Sequence, residues 1–116
     1  DVMKAAELFV KCLENEDVEY IFGVPGEENL DVMDALLDSR IQFITCRHEQ
    51  GAAFMADVYA RLSGKPGICE GPSGGGTTYM LPGVVEAHGS SVAMIALTTD
   101  NPSPAPYLAW SFSTVG

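Results

Sequence analysis

Glu49 is the residue whose type and neighbours most favour a chemical role. It follows Arg47 and His48 and opens a segment of small side chains at residues 51–53. Small side chains at these positions let a flat ligand or another backbone approach closely. A carboxyl in a mostly apolar setting can hold or give a proton, as general acid–base catalysis requires. Its position alone also fits an ordinary first-turn acid, because the helix dipole stabilises carboxylates there.

A glycine-rich segment at residues 71–76, Gly-Pro-Ser-Gly-Gly-Gly, is the second candidate. Such a turn between a strand and a helix exposes backbone N–H groups and suits anions. No Gly-Lys-Ser/Thr follows it, and residues 23–26 do not form the dinucleotide pattern Gly-x-Gly-x-x-Gly. Taken alone, the segment fits either a loop of a generic phosphate- or nucleotide-binding domain or a tight turn.

The third candidate is Pro25-Gly26, which is followed by Glu27 and Glu28. Two adjacent acids at this position are more typical of a solvated helix start than of an acid/base pair. We therefore assign neither glutamate a catalytic role.

The elements that must position these segments follow from the spacing of apolar residues. That spacing predicts helices at 2–16, 27–37, 49–62 and 77–87, and strands at 20–24, 41–44, from 68 and at 92–97. Short apolar strands that alternate with helices favour a three-layer α/β/α fold with a mainly parallel sheet. Ligands bind beyond the carboxyl ends of such strands, where all three candidate segments lie. The helix at 49–62 is apolar over most of its surface and is expected to be largely buried.

Composition restricts the class of protein further. The chain of 116 residues is long enough for one domain. Its net charge of −10 opposes binding to nucleic acid or to an anionic membrane. The three cysteines, Cys12, Cys46 and Cys69, form no Cys-x-x-Cys pair and predict neither a disulfide framework nor a zinc site. We expect them to act as small buried apolar residues in a soluble, cytoplasmic protein.

Taken in order, four segments resemble the N-terminal, pyrimidine-binding domain of thiamine-diphosphate-dependent enzymes in the acetolactate synthase, pyruvate oxidase and benzoylformate decarboxylase group. They are Tyr-Ile-Phe-Gly-Val-Pro-Gly at 20–26, Arg-His-Glu-Gln-Gly-Ala-Ala at 47–53, Ala-Asp-Val-Tyr-Ala-Arg-Leu-Ser-Gly at 56–64, and the glycine-rich segment. The resemblance extends over roughly residues 3–99.

The resemblance implies a catalytic role for Glu49: it contacts a ring nitrogen of the cofactor's aminopyrimidine and activates the cofactor of a 2-keto acid decarboxylase or carboligase. Many relatives have Thr-Ser-Gly-Pro-Gly-Ala-Thr-Asn at positions 72–79. Here Gly75 replaces the proline and Tyr79 the asparagine, which indicates a divergent relative. The cofactor-binding residues that the resemblance implies are Pro25, Gly26, Glu49, Pro72, Ser73, Gly75, Gly76 and Tyr79.

The resemblance also predicts partners. In the family, a separate domain with a Gly-Asp-Gly motif holds magnesium and the diphosphate, and this chain has no such motif. We therefore expect this chain to bind only the pyrimidine end of thiamine diphosphate, to have no metal ligands, and to act in a homo-oligomer or heteromer. We expect the domain to occupy residues 1–100 and to be truncated at its C-terminal side, with a proline-rich tail at 101–116 that is unassigned. The alternative is a non-catalytic remnant or subunit-interaction module with the same fold.

Overall fold

The computed structural model describes residues 3–99, and the predicted proline-rich tail lies outside them. Four helices and four strands alternate within the described residues. The helices are α1 (Ala5–Asn15), α2 (Leu30–Leu37), α3 (Glu49–Ser63) and α4 (Gly75–Gly89). The strands are β1 (Tyr20–Gly23), β2 (Gln42–Thr45), β3 (Gly67–Gly71) and β4 (Met94–Thr98), and a 3-10 turn, Glu27–Asn29, precedes α2.

The four strands form one parallel sheet in the order β2-β1-β3-β4. Each connection between strands that follow one another in the chain contains a helix, as parallel pairing requires. Helices α1 and α2 pack on one face of the sheet, and α3 and α4 pack on the other. The predicted three-layer α/β/α fold is therefore confirmed.

Helix α3 lies very close to the sheet because the residues between them are small. Its buried side consists of Ala52, Ala53, Ala56 and Ala60 together with Asp57. An ideal Cβ atom built on Gly67 of β3 would lie 2.0 Å from the carbonyl oxygen of Ala56, so only glycine is possible there. This close contact holds the middle of α3 against the amino end of β3.

The opposite side of α3 corrects one prediction. We expected this helix to be largely buried, but Phe54, Met55, Val58 and Leu62 are exposed, and together with Phe22 and Tyr59 they line an apolar groove. The helix turns its alanines towards the sheet because they allow the closer contact, which leaves the larger apolar side chains outside.

The cysteines correct a second prediction. All three are free, but only Cys69 is buried; Cys46 is half-buried, and Cys12 is exposed on α1. Cys12 lies on the side of α1 opposite Val10 and Leu13, which pack into the core. No helix within residues 3–99 has both the length and the apolar character needed to cross a membrane.

Candidate functional site

The three candidate segments meet beyond the carboxyl ends of the central strands. In the sheet register, Gly23 at the end of β1 pairs with Thr45 on one side and with Glu70 on the other. The segments that follow these strands lead to the 3-10 turn, to α3 and to α4. Parallel strands thus bring together residues far apart in sequence, at the edge where open α/β sheets bind ligands.

Glu49 is the first residue of α3, and His48 caps the helix. The backbone of His48 is extended, and its Nδ1 accepts a hydrogen bond from the Gln50 N–H at 3.1 Å, which satisfies one of the free donors of the first turn. The Glu49 side chain is half-buried. Its carboxyl therefore lies in the favourable field of the helix N-terminus and can still reach a ligand.

The Glu49 carboxyl lies against glycines at the end of β3 and in the first turn of α4. An ideal Cβ atom on Gly76 would lie 3.2 Å from Glu49 Oε1 and 2.6 Å from Pro72 Cγ. One on Gly71 would lie 3.2 Å from Glu49 Cγ. Glycine at these two positions gives the carboxyl its room, and Pro72 closes the far side of Gly76.

Pro72 also contacts the loop that follows β1. An ideal Cβ atom on Gly26 would lie 2.9 Å from Pro72 Cβ. The Gly26 N–H donates to Asn29 Oδ1 at 3.0 Å, which holds this loop to the 3-10 turn. The structure thus brings Gly26, Pro72, Gly76 and Glu49 together, whereas Pro25 is exposed beside them.

The exposed rim of the site is aromatic. The rings of His48 and Tyr79 have centroids 5.0 Å apart and planes inclined by 36°. Tyr79 Cε2 lies 3.6 Å from where a Cβ atom of Gly75 would be. Ser73 is half-buried in the loop before α4. Tyr79 therefore covers the first turn of α4 and contacts the histidine next to Glu49.

Helix α4 begins two residues earlier than predicted. The spacing predicts a helix from residue 77, but Gly75 and Gly76 already belong to its first turn. Gly74 has a φ of +68°, a left-handed conformation that favours glycine and lets the chain turn sharply out of the loop. The glycine-rich segment is thus a turn and the start of a helix, and its last residue, Gly76, lies beside Glu49.

A second carboxyl, Glu70, lies at this edge and was not predicted from the sequence. Its side chain is 1% exposed, and Asn29, also 1% exposed, donates from Nδ2 to Glu70 Oε1. The other oxygen, Oε2, is buried and has no hydrogen-bond partner within residues 3–99. Burial, and to a smaller extent the charge of Glu49, raises the pKa of Glu70 to about 8. The available signal was a lone acid in the apolar run Gly-Ile-Cys-Glu-Gly of β3.

The starts of α3 and α4 are open beside two exposed glycines. The carboxyl of Glu49 can exchange hydrogen bonds with a ring nitrogen, and ideal Cβ atoms on Gly51 and Gly74 would meet nothing within 4 Å. A ligand can therefore approach both helix starts closely. Within residues 3–99, no group of three or more His, Cys, Asp or Glu residues could hold a metal ion.

The fold and the site define a class: an open, parallel α/β domain with a half-buried carboxyl at the start of a helix, beyond the carboxyl ends of the strands. The family described as "Thiamine pyrophosphate enzyme, N-terminal TPP binding domain" matches residues 3–108. Because this match extends over most of the chain, the chain belongs to that family, and the resemblance predicted from its motifs is confirmed. Thiamine pyrophosphate (TPP) is thiamine diphosphate under its other name.

Curated relatives agree with this family. A probable acetolactate synthase large subunit of Methanococcus aeolicus is 48% identical over 101 residues, which are 87% of this chain and 17% of that protein. The acetolactate synthase isozyme 2 large subunit of Escherichia coli is 39% identical over 102 residues, 88% of this chain and 19% of that protein. A probable 2-ketoarginine decarboxylase of Pseudomonas aeruginosa is 38% identical over 108 residues, 93% of this chain and 19% of that protein. This chain is a TPP-binding N-terminal domain of the acetolactate synthase-like type, and it spans less than a fifth of these relatives.

Proposed function

We propose that this chain supplies the pyrimidine-binding half of the active site in a thiamine-diphosphate-dependent 2-keto acid decarboxylase or carboligase, and that Glu49 activates the cofactor. One observation carries the proposal: in a domain of a TPP-binding family, the Glu49 carboxyl occupies the room left by Gly71 and Gly76 at the ligand-binding edge of the sheet.

In this function Glu49 exchanges a proton with a ring nitrogen of the aminopyrimidine. The half-buried position of Glu49 strengthens such a hydrogen bond relative to water, and the start of α3 holds the carboxyl in place. Bound thiamine diphosphate supplies the carbanion-stabilising chemistry that 2-keto acid reactions need. The contribution of this chain is to orient the ring and to hold or return one proton at Glu49 Oε1 or Oε2.

The loop residues line the ring site. Gly26 and Pro72, which contact each other, support one side of the ring, and the first turn of α4 supports the other. Tyr79 and His48 form the exposed rim, where they limit the size of the substrate. The proposed ring contacts are Pro25, Gly26, Glu49, Pro72, Ser73, Gly75, Gly76 and Tyr79.

We further propose that another domain or subunit binds the diphosphate and magnesium, and that the assembled protein is an oligomer. The apolar groove on α3 supports this association, because contiguous exposed apolar surface is typical of protein–protein contacts. The same groove supports the alternative, a non-catalytic interaction module. The two proposals differ in whether turnover depends on Glu49.

The test is Glu49→Gln in the complete protein, with turnover measured on a panel of 2-keto acids. Removing a general acid–base group is expected to lower turnover by about 10²-fold or more. Glu16→Gln, an exposed acid at the end of α1, is the matched control and should be neutral. Turnover by Glu49→Gln equal to that of the control would exclude the proposed role and favour the interaction module.

A further inference from the structure

Glu70 is the one buried carboxyl at this edge of the sheet, within residues 3–99, to which the proposed function gives no role. Asn29 links it to the loop beside the ring site: the Asn29 amide donates to Glu70 Oε1, and its carbonyl oxygen accepts from the Gly26 N–H at 3.0 Å. Glu70 is thus fixed by a residue that also fixes a proposed cofactor-binding glycine.

The surroundings of the second oxygen of Glu70 indicate that this carboxyl is neutral. An ideal Cβ atom on Gly23 would lie 2.6 Å from Glu70 Oε2, so this oxygen occupies the place of a side chain above β1. Neither a cation nor a hydrogen-bond donor of residues 3–99 contacts it. An unpaired charge in such a place costs several kcal/mol, whereas a protonated carboxyl costs far less.

The titratable groups that interact with Glu70 are few. Within the described residues they are Glu49 at the start of α3 and the Cys69 thiol next to Glu70 on β3, whose own pKa is raised by burial. Asn29, the remaining polar contact, does not titrate. Among these groups, the charge of Glu49 is therefore the one that raises the pKa of Glu70 beyond the effect of burial.

We propose that Glu70 is a positioning residue for Glu49: its neutral carboxyl, held by Asn29, keeps a second negative charge out of the site and so leaves Glu49 free to exchange its proton with the cofactor ring. This inference rests on the proposed function of Glu49. Ionisation of Glu70 above pH 8 would place a charge near Glu49 and oppose the release of its proton, so cofactor activation would decline there.

The first test uses infrared titration of the full chain without cofactor. The wild-type protein should lose a protonated-carboxyl absorption with an apparent pKa near 8, and Glu70→Gln should lack this absorption. In Glu49→Gln the same absorption should disappear at lower pH, because the repelling charge is gone. An absorption that is missing in the wild type, or unmoved by Glu49→Gln, would overturn the proposal.

The second test follows exchange with solvent of the hydrogen on the thiazolium carbon, in the holoenzyme loaded with thiamine diphosphate and magnesium. Glu70→Gln, whose amide is always neutral, should stay within about threefold of the wild type at pH 7 and lose the decline above pH 8. A variant slowed equally at every pH, or one with the wild-type profile, would mean a structural role alone and refute the proposal. Unchanged exchange in Glu49→Gln would instead refute the proposed function, so the two failures are distinguishable.

Discussion

Replacing Glu70 with Gln should change how the stability of the protein depends on pH. The pKa of Glu70 is about 8 in the folded chain, against about 4.3 for a glutamate in an unfolded chain. A carboxyl whose pKa is raised by folding stabilises the native state most fully below its unfolded pKa. That contribution is lost as the pH rises through the folded pKa.

The size of the effect follows from the same pKa values. Each pH unit between them lowers the free energy of unfolding by about 1.4 kcal/mol, so the total loss from pH 4.5 to pH 8 is on the order of 4 kcal/mol. Glu70→Gln cannot titrate, and its amide oxygen can still accept from Asn29. The variant should therefore gain stability relative to the wild type as the pH rises.

The assay is urea unfolding of both proteins at half-unit steps from pH 5 to pH 9. Every other titrating group is common to the two proteins, so the difference between the two free energies of unfolding isolates Glu70. The predicted difference grows steadily towards pH 8 and is constant above it. If the free energies of unfolding of the two proteins instead changed in parallel with pH, the pKa of Glu70 would not be raised by folding, and the proposed neutral carboxyl would be wrong.

Two further predictions concern glycine packing and cysteine exposure. Gly76→Ala should destabilise the chain by about 1–3 kcal/mol in urea unfolding and weaken thiamine diphosphate binding, because its Cβ would lie 2.6 Å from Pro72 Cγ. The control is Gly89→Ala, whose Cβ would meet nothing within 4 Å. Equal effects of the two substitutions would contradict the packing described at the site. Cys12 should react with iodoacetamide far faster than Cys69, because Cys12 is exposed whereas burial raises the pKa of Cys69 to about 12. Mass spectrometry gives both rates, and faster modification of Cys69 would contradict its burial.

Much of the fold could be predicted because each strand is a short apolar run between turn residues. The run Tyr-Ile-Phe-Gly of β1 lies where the pattern indicates, and α4 differs from its predicted start by only two residues. The orientation of α3 could not be predicted, since both sides of this helix are apolar. Only the three-dimensional contact shows that alanines, which allow the closer approach, turn towards the sheet.

The candidate site could be predicted in part for a similar reason. Glu49 follows a strand and starts a helix, and local sequence shows both features. Glu70 was missed because periodicity rules treat a glutamate as polar, while its burial depends on Asn29, 41 residues away in the chain. The contact of His48 with Tyr79 likewise joins the starts of two helices that only the sheet brings together.

Hydrogen exchange at the thiazolium carbon of thiamine diphosphate, measured in the magnesium-loaded protein, tests whether Glu49 activates the cofactor and needs no knowledge of the substrate. We expect Glu49→Gln to slow this exchange by about 10²-fold or more at pH 7, with Glu16→Gln unchanged. Exchange in Glu49→Gln as fast as in the wild type, with cofactor bound, would contradict the claim.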